Sequence, residues 1–289
     1  SFDTLITALP QSLIREIFFF AEKLLGKTLQ TIWAPHGNSD KGHLAPFMEG
    51  LRSETCAFVY GEKMVDFLRE KGALNQLERT IYIGNYRKRF ADLHQDFYRK
   101  LVESKIFSNL SQKNRTILFA PTWEDAEDSS SFFSAAPLLI NQLPEHFNLI
   151  IKPHPNLRWQ RGGDALTLLS TLRKPNLRVI WDFPLIYPLL ERIDIYLGDL
   201  SSIGYDFLSY NRPLFFFRNT KVNPSLFLFR CGTEIPESSL EQIYPFIEEH
   251  LANDQTFSSI RKEAYTYTFG RDKTSEEWQE VYHAARSSS

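Results

Sequence analysis

Cysteine is nearly absent: Cys56 and Cys231 are the two in 289 residues. Two thiols build neither a disulfide framework nor a four-ligand metal set, and they fit a reduced, cytosolic chain. Long apolar runs are also missing. None approaches the ~20 residues of a membrane-spanning helix. The most apolar stretch, Leu13 to Leu25, is interrupted by Arg15, Glu16, Glu22 and Lys23. Charge of one sign is not in excess: the net charge of −2 excludes a dominant nucleic-acid footprint. No signal peptide, solenoid-period repeat or low-complexity tract is visible. The chain opens almost directly into a candidate strand, so an upstream part of the natural protein is expected.

What remains is a chain long enough for two modest domains with cores of their own. Apolar runs fall at Leu5–Leu9, Leu29–Trp33, Thr55–Tyr60 and Thr80–Ile83, with helical patterns at Gln11–Leu25, Glu62–Lys71 and Arg87–Ser104. After a polar stretch, Ser108–Arg115, the scheme repeats. Strands are expected at Thr116–Ala120, Asn148–Ile151, Leu177–Trp181, Ile195–Leu197 and Leu214–Phe217. Helices are expected at Phe132–Gln142, Asp164–Arg173, Leu185–Arg192 and Ile203–Ser209. Alternation of this kind predicts parallel sheets with crossover helices. From Ser238 onward only helical patterns remain. The fold class is therefore α/β, two Rossmann-like domains with a helical C-terminal tail. The expected division is residues 1–107 for the first domain and 116–289 for the second.

The most informative stretch is IYLGDLSSIGYDFLSYNRPLFFF, residues 195–217. It reads as strand, tight turn, helix, breaker and strand. The turn at Asp199 belongs at the carboxyl end of a parallel strand, where open α/β sheets bind ligands. Ser201 or Ser202 would cap the helix, whose free N–H groups suit a phosphate. Asp199 either binds or holds backbone. Asp206, inside the helix, either reaches back to a ribose or glycerol hydroxyl or faces water.

Three further loops follow strands. In Ala34-Pro35-His36-Gly37-Asn38-Ser39-Asp40-Lys41-Gly42, the proline and glycine force a loop and leave His36 at a strand end. An imidazole there can serve as a general base at neutral pH, and Lys41 can meet a phosphate or orient an acceptor. The bland alternative is a surface loop whose histidine bonds locally. In Lys152-Pro153-His154-Pro155, the prolines fix the backbone around His154. His154 beside Lys152 can grip a pyrophosphate or protonate a leaving phosphate; the alternative is a proline-rich loop with an incidental histidine. In Ala120-Pro121-Thr122-Trp123-Glu124-Asp125, Thr122 can bond a phosphate, and Trp123 can stack on a base or simply pack. Glu124, Asp125, Glu127 and Asp128 read as a solvated acidic loop.

Taken in order, these motifs resemble the C-terminal catalytic region of the CDP-glycerol glycerophosphotransferase family, the teichoic-acid primases and polymerases. The resemblance runs from about residue 33 to 217. It rests on His36-Gly37 with Lys41, Ala120-Pro121-Thr122-Trp123, His154-Pro155, Asp199-Leu200-Ser201-Ser202, Tyr205-Asp206 and Arg212-Pro213. The departures are Pro35 for a tryptophan, Asn38-Ser39-Asp40 for Thr-Pro-Leu, Leu200 for a tyrosine, Glu124 for an arginine and Gly84-Asn85-Tyr86-Arg87 for Gly-Tyr-Pro-Arg. The resemblance implies a GT-B fold, with the two domains facing across a cleft and His36 opposite Ser202.

It also implies the chemistry. His36 activates an acceptor hydroxyl, with Gly37 and Lys41 on the acceptor side. The second domain holds a nucleotide-activated donor, CDP-glycerol or a nucleotide sugar, through Thr122, Lys152, Asp199, Ser201, Ser202 and Asp206. His154 stabilises the leaving phosphate. The acceptor is a polyol, glycan or lipid-linked hydroxyl of cell-envelope or capsule polymer synthesis. No cofactor is required, and a divalent ion on the donor phosphates stays open. Peripheral attachment to the inner membrane face is expected, and Leu13, Ile14, Ile17, Phe18, Phe19 and Phe20 offer an apolar helix for it. A core helix is the alternative. Two other functions share the layout: a UDP-N-acetylglucosamine 2-epimerase-like enzyme and a non-catalytic nucleotide-sugar-binding module.

Overall fold

Short apolar runs, too short for helices, become parallel strands, and those at Phe147–Ile151, Ile195–Gly198 and Leu214–Phe217 are buried throughout. A computed structural model of the chain describes residues 4–26, 29–40, 51–124, 129–183, 185–217 and 226–286. These residues divide into two compact units. The first comprises residues 1–38, 42–86 and 265–289, the second 39–41 and 87–264.

The first unit is built on β1 (Thr4–Thr7), β2 (Gln30–Trp33), β3 (Cys56–Val59) and β4 (Arg79–Tyr82). They form a parallel sheet in the order β1-β2-β3-β4, with Ile6 opposite Ile32 and Phe58 opposite Ile81. Helix α1 (Gln11–Leu25) follows β1 and stops at Gly26, whose φ of +61° a side chain would disfavour. Helix α2 (Glu62–Glu70) follows β3 and buries Met64, Val65 and Leu68, leaving its charged residues mostly outside.

Helices α3 (Tyr86–Leu93) and α4 (Gln95–Val102) replace the single helix expected over 87–104. The break falls at His94, whose φ of −118° and ψ of 24° are non-helical. From Arg87 onward this segment belongs to the second unit rather than the first. Arg99 bonds Glu191 at 3.0 Å, and the Arg192 guanidinium lies 4.8 Å over the Phe107 ring. The division therefore falls after Tyr86, not in the 108–115 stretch.

The second unit holds β5 (Arg115–Phe119), α5 (Phe132–Gln142), β6 (Phe147–Ile151), α6 (Asp164–Thr171) and β7 (Leu177–Val179). It continues through α7 (Ile186–Leu190), β8 (Ile195–Gly198), α8 (Ser202–Phe207), β9 (Leu214–Phe217) and β10 (Thr233–Ile235). The parallel sheet runs β10-β9-β8-β5-β6-β7. Alternate residues split between the two faces. Ile117, Phe119, Leu197 and Phe215 join Phe132, Leu139, Leu157 and Ile247 in one buried layer. Tyr196 turns to the other face, its ring centroid 5.7 Å from that of Phe207 on α8.

Helices α9 (Ile243–Leu251), α10 (Ser258–Phe269) and α11 (Ser275–Arg286) make up the helical C-terminal region. The unit division passes through α10, so α11 packs with the first unit rather than the second. Strand β10 was not expected: three residues carry no legible period. Its neighbour Gly232 is required there, because a Cβ would lie 2.1 Å from the Leu214 carbonyl oxygen.

Candidate functional site

In the second unit the chain runs outward from β5 through β6 and β7, then returns to the other side of β5 for β8, β9 and β10. The sheet thus reverses its order between β5 and β8. The carboxyl ends at such a reversal form the ligand crevice of open α/β sheets. The loop after β5 carries Thr122 and Trp123, and the turn after β8 carries Asp199 to Ser202. The loop after the adjacent β6 carries Lys152 and His154. The fold therefore gathers three of the four sequence-derived motifs on one sheet edge.

Asp199 explains how two of these loops are held together. It is buried, and its Oδ1 accepts from the Thr122 N–H at 2.8 Å. Its Oδ2 accepts from the Ser131 N–H and hydroxyl, each at 2.8 Å. Both oxygens are engaged, so Asp199 is a brace under the site and not a donor ligand as expected. Gly198 before it has no room for a side chain: a Cβ would meet the Tyr196 hydroxyl at 2.3 Å. Ser201 caps α8, its Oγ accepting from the Ile203 N–H at 3.4 Å, while Ser202 stays half-exposed.

Asp206 is the second correction. It is wholly buried. Its Oδ1 accepts from the Arg87 guanidinium at 2.7 Å and from the Tyr187 hydroxyl at 2.8 Å. Burial pushes its carboxyl pKa up, and Arg87 and Tyr187 pull it back. A carboxylate so enclosed does not reach a ribose or glycerol hydroxyl. Arg212, in the Arg212-Pro213 motif, donates to the Glu191 carbonyl at 2.8 Å and to that of Ile193 at 2.5 Å, satisfying backbone oxygens just after α7.

Lys152 and His154 remain presented. Lys152 is half-buried, and burial lowers its pKa, with Asp182 opposing. Among the described residues none is seen to bond its ammonium, which suits an anionic ligand. The Nδ1 of His154 accepts from the Asn156 N–H at 3.2 Å, which leaves Nε2 to carry the proton of the neutral ring. The Trp123 and His154 ring centroids lie 6.1 Å apart.

Sequence reasoning missed Arg161. It holds a left-handed φ of 47°, ahead of Gly162 and Gly163, and its Nε bonds Glu124 at 2.9 Å. A guanidinium thus stands beside Glu124, the position where the resembling pattern has arginine. A non-glycine residue followed by Gly-Gly was the available signal. A cavity of about 540 Å³ lined by Arg115, Asp194, Arg212 and Glu248 opens at the opposite, amino-terminal edge of this sheet, away from Thr122, Lys152, His154 and Ser202.

In the first unit, His36 is exposed in the loop after β2, with Gly37 half-buried beside it. The backbone just before it is pinned: the buried Tyr60 hydroxyl donates to the Pro35 carbonyl at 2.8 Å. Tyr60 stacks on Tyr86 at 5.8 Å and meets the Phe269 ring edge-on at 5.9 Å. Tyr60 ends the β3 run, so its place at a strand end was readable, but its contact with Pro35 was not. Lys41 lies outside the described residues, as do Asp125, Glu127 and Asp128.

Residues 92–225 match the family model described as CDP-Glycerol:Poly(glycerophosphate) glycerophosphotransferase. The teichoic acid glycerol-phosphate primase of Bacillus subtilis (strain 168) is 25% identical over 228 residues, covering 71% of this chain. The chain spans about half the length of that curated relative, 55%. Among solved structures, the wall teichoic acid polymerase TagF superposes with a TM-score of 0.61 at 15% identity, over 90% of this chain and 69% of TagF. The UDP-GlcNAc 2-epimerase of Neisseria meningitidis bound to UDP-GlcNAc superposes with a TM-score of 0.57 at 14% identity, over 98% of this chain and 76% of the epimerase. The fold is of the GT-B-like type shared by both.

Proposed function

We propose that this chain, a member of the CDP-glycerol:poly(glycerophosphate) glycerophosphotransferase family over residues 92–225, transfers glycerol phosphate from CDP-glycerol to a hydroxyl acceptor of a cell-envelope or capsule polymer. The observation that carries this is the order reversal at β5 and β8, with Thr122, Trp123, Lys152, His154, Ser201 and Ser202 on the loops at its carboxyl edge. Backbone N–H groups near Ser201 and Ser202, Thr122 and the Lys152 ammonium bind the diphosphate. Trp123 walls the nucleotide. His36 takes the proton of the acceptor hydroxyl, and Gly37 and Lys41 shape the acceptor side. The acceptor oxygen attacks the phosphorus that bears glycerol, the bond from that phosphorus to the bridging oxygen breaks, and CMP leaves. His154 stabilises or protonates the departing phosphate. Catalysis is by positioning and preorganised charge. A divalent ion on the donor phosphates is compatible with this scheme and not required by it.

The epimerase layout is the second reading, because the likeness to the Neisseria enzyme spans 98% of the chain. The two part cleanly in one assay. Purified chain is given CDP-glycerol or UDP-N-acetylglucosamine, with and without an acceptor ending in glycerol phosphate. CMP release from CDP-glycerol that depends on acceptor is expected. Conversion of UDP-N-acetylglucosamine without acceptor would establish the epimerase instead. Tight CDP-glycerol binding in calorimetry with no turnover would leave a binding module.

Peripheral attachment at the inner membrane face belongs to the same proposal. Among the described residues no helix is long and apolar enough to cross a membrane. Helix α1 buries Ile14 but exposes Leu13, Phe20, Leu24 and Leu25, by 56%, 62%, 71% and 69%, with Lys23 exposed beside them. An apolar face with a basic neighbour suits an anionic interface. Co-flotation with anionic liposomes is expected, and its loss in a Leu24→Ser, Leu25→Ser variant. A chain that stays at the bottom of the gradient sinks the membrane proposal.

A further inference from the structure

The residues that follow His36 change partners abruptly. The Asn38 carbonyl accepts from the Lys63 ammonium at 3.0 Å, and its side-chain amide donates to the Thr268 carbonyl at 3.2 Å, all within the first unit. One residue later the chain belongs to the second unit. The Ser39 hydroxyl donates to the Leu200 carbonyl at 3.4 Å, in the turn that carries Ser201 and Ser202. The Tyr205 hydroxyl, on α8 directly behind that turn, donates to Asp40 Oδ2 at 2.7 Å.

We infer that Asp40 and Tyr205 form a positioning pair that fastens the segment after His36 to the turn bearing Ser201 and Ser202. The inference rests on the glycerophosphotransfer proposed above and adds to it the residues that set where the general base stands. Neither side chain touches substrate in this scheme; both act through the backbone between them and His36.

Three features support the pair. Tyr205 is fully buried, so its hydroxyl needs an internal partner. That partner is a carboxylate, and hydrogen bonds to a charged acceptor are the short, strong ones. Burial and the Asp40 charge push the Tyr205 pKa well above its ordinary value, so the hydroxyl stays protonated and keeps donating. The pair joins residues 165 positions apart. A bond of that span ties the segment after His36 to a helix far along the chain, and a general base must stand within hydrogen-bond reach of its proton.

A set of variants tests it, read by kcat, donor affinity and hydrogen exchange. Tyr205→Phe and Asp40→Leu should each lower kcat about 10- to 100-fold, since misplacement of a catalytic group by 1 Å costs on the order of 10²-fold. The dissociation constant for CDP-glycerol, measured by calorimetry, should stay within about threefold in both, because the pair sets kcat and not ground-state donor binding. Asp40→Asn keeps an acceptor for the phenol and should retain kcat within about threefold of the parent. The double variant Asp40→Leu, Tyr205→Phe should be no slower than the slower single variant, since the same bond is lost only once.

Amide exchange over residues 33–40 should speed up in Tyr205→Phe and Asp40→Leu and stay near the parent rate in Asp40→Asn. Unchanged exchange in Tyr205→Phe overturns the pair whatever the reaction is. So does loss of donor affinity in step with kcat, or an Asp40→Asn variant as slow as Asp40→Leu. A parent chain that does not turn over CDP-glycerol sinks the proposed function alone, and the exchange data then decide the pair by themselves.

Discussion

Replacing His36 by alanine is expected to slow transfer from CDP-glycerol by ~10²–10⁴-fold, the usual cost of losing a general base, while the donor dissociation constant moves by no more than about twofold. The expectation follows from position. His36 is exposed after β2 in the first unit, and the residues proposed to hold the donor phosphates, Thr122, Lys152, His154 and Ser202, sit in the second. The Tyr60 hydroxyl fixes the Pro35 carbonyl, so the histidine stands on a held backbone. Ser202→Ala and His154→Ala should weaken donor binding. Loss of one hydrogen bond to a charged phosphate costs roughly 1.5–3 kcal/mol, about ten- to a hundred-fold in donor affinity. Calorimetric titration of CDP-glycerol into each variant, with turnover measured on the same preparations, checks both. A His36→Ala chain that loses donor binding as badly as Ser202→Ala refutes the division of labour. One that keeps full turnover removes the general base from His36.

The Asp206→Ala variant should lose about 3–5 kcal/mol of stability, the range for breaking one side of a buried ion pair. The cause is what remains behind. Arg87 keeps a mostly buried guanidinium with its carboxylate gone, and the Tyr187 hydroxyl loses its acceptor. For a unit of this size each kcal/mol is worth roughly 2–4 °C, so the melting temperature should fall by about 10 °C. The pH dependence has a definite sign. Burial raises the folded pKa of Asp206 above its ordinary value, so the fold binds this proton more tightly than the unfolded chain does. Its contribution to stability is fully present below the ordinary aspartate pKa and is lost as pH rises through the raised value. Asp206→Asn should flatten that part of the stability profile. Thermal melts of the three chains across pH measure it, and an Asp206→Ala chain that melts within about 2 °C of the parent contradicts the buried pair.

Much of the fold was legible in short windows. The nine expected strands all lie on observed ones, and α1 and α5 carry the expected bounds. Their signals were local: runs of Ile, Leu and Phe four or five residues long, and apolar spacing at the helical period. The loops were legible for the same reason. Pro35, Gly37, Pro153 and Pro155 must leave the strand, so His36 and His154 had to stand at strand ends. Less legible was the long helix over 87–104, where periodicity continues across His94 although the backbone does not.

Two aspartates show where local signals stop. Asp199 and Asp206 have the same side-chain chemistry and lie seven residues apart, and either could have met a ligand. Asp199 instead braces Thr122 against Ser131, and Asp206 is closed in by Arg87 and Tyr187. Three of these four partners are 68, 77 and 119 residues distant, so no window of the sequence contains both ends. The same holds for the strand order. That β5 lies between β8 and β6, and so makes the crevice, depends on which strands pair across the whole second unit. By itself the sequence determined the alternation of strands and helices, the loops that leave strand ends, and the residue types those loops offer. Tertiary structure alone decided which loops meet, which carboxylates are walled in, and where the chain changes unit. Propensity and periodicity act between neighbours, whereas burial and pairing are settled between residues far apart in the chain.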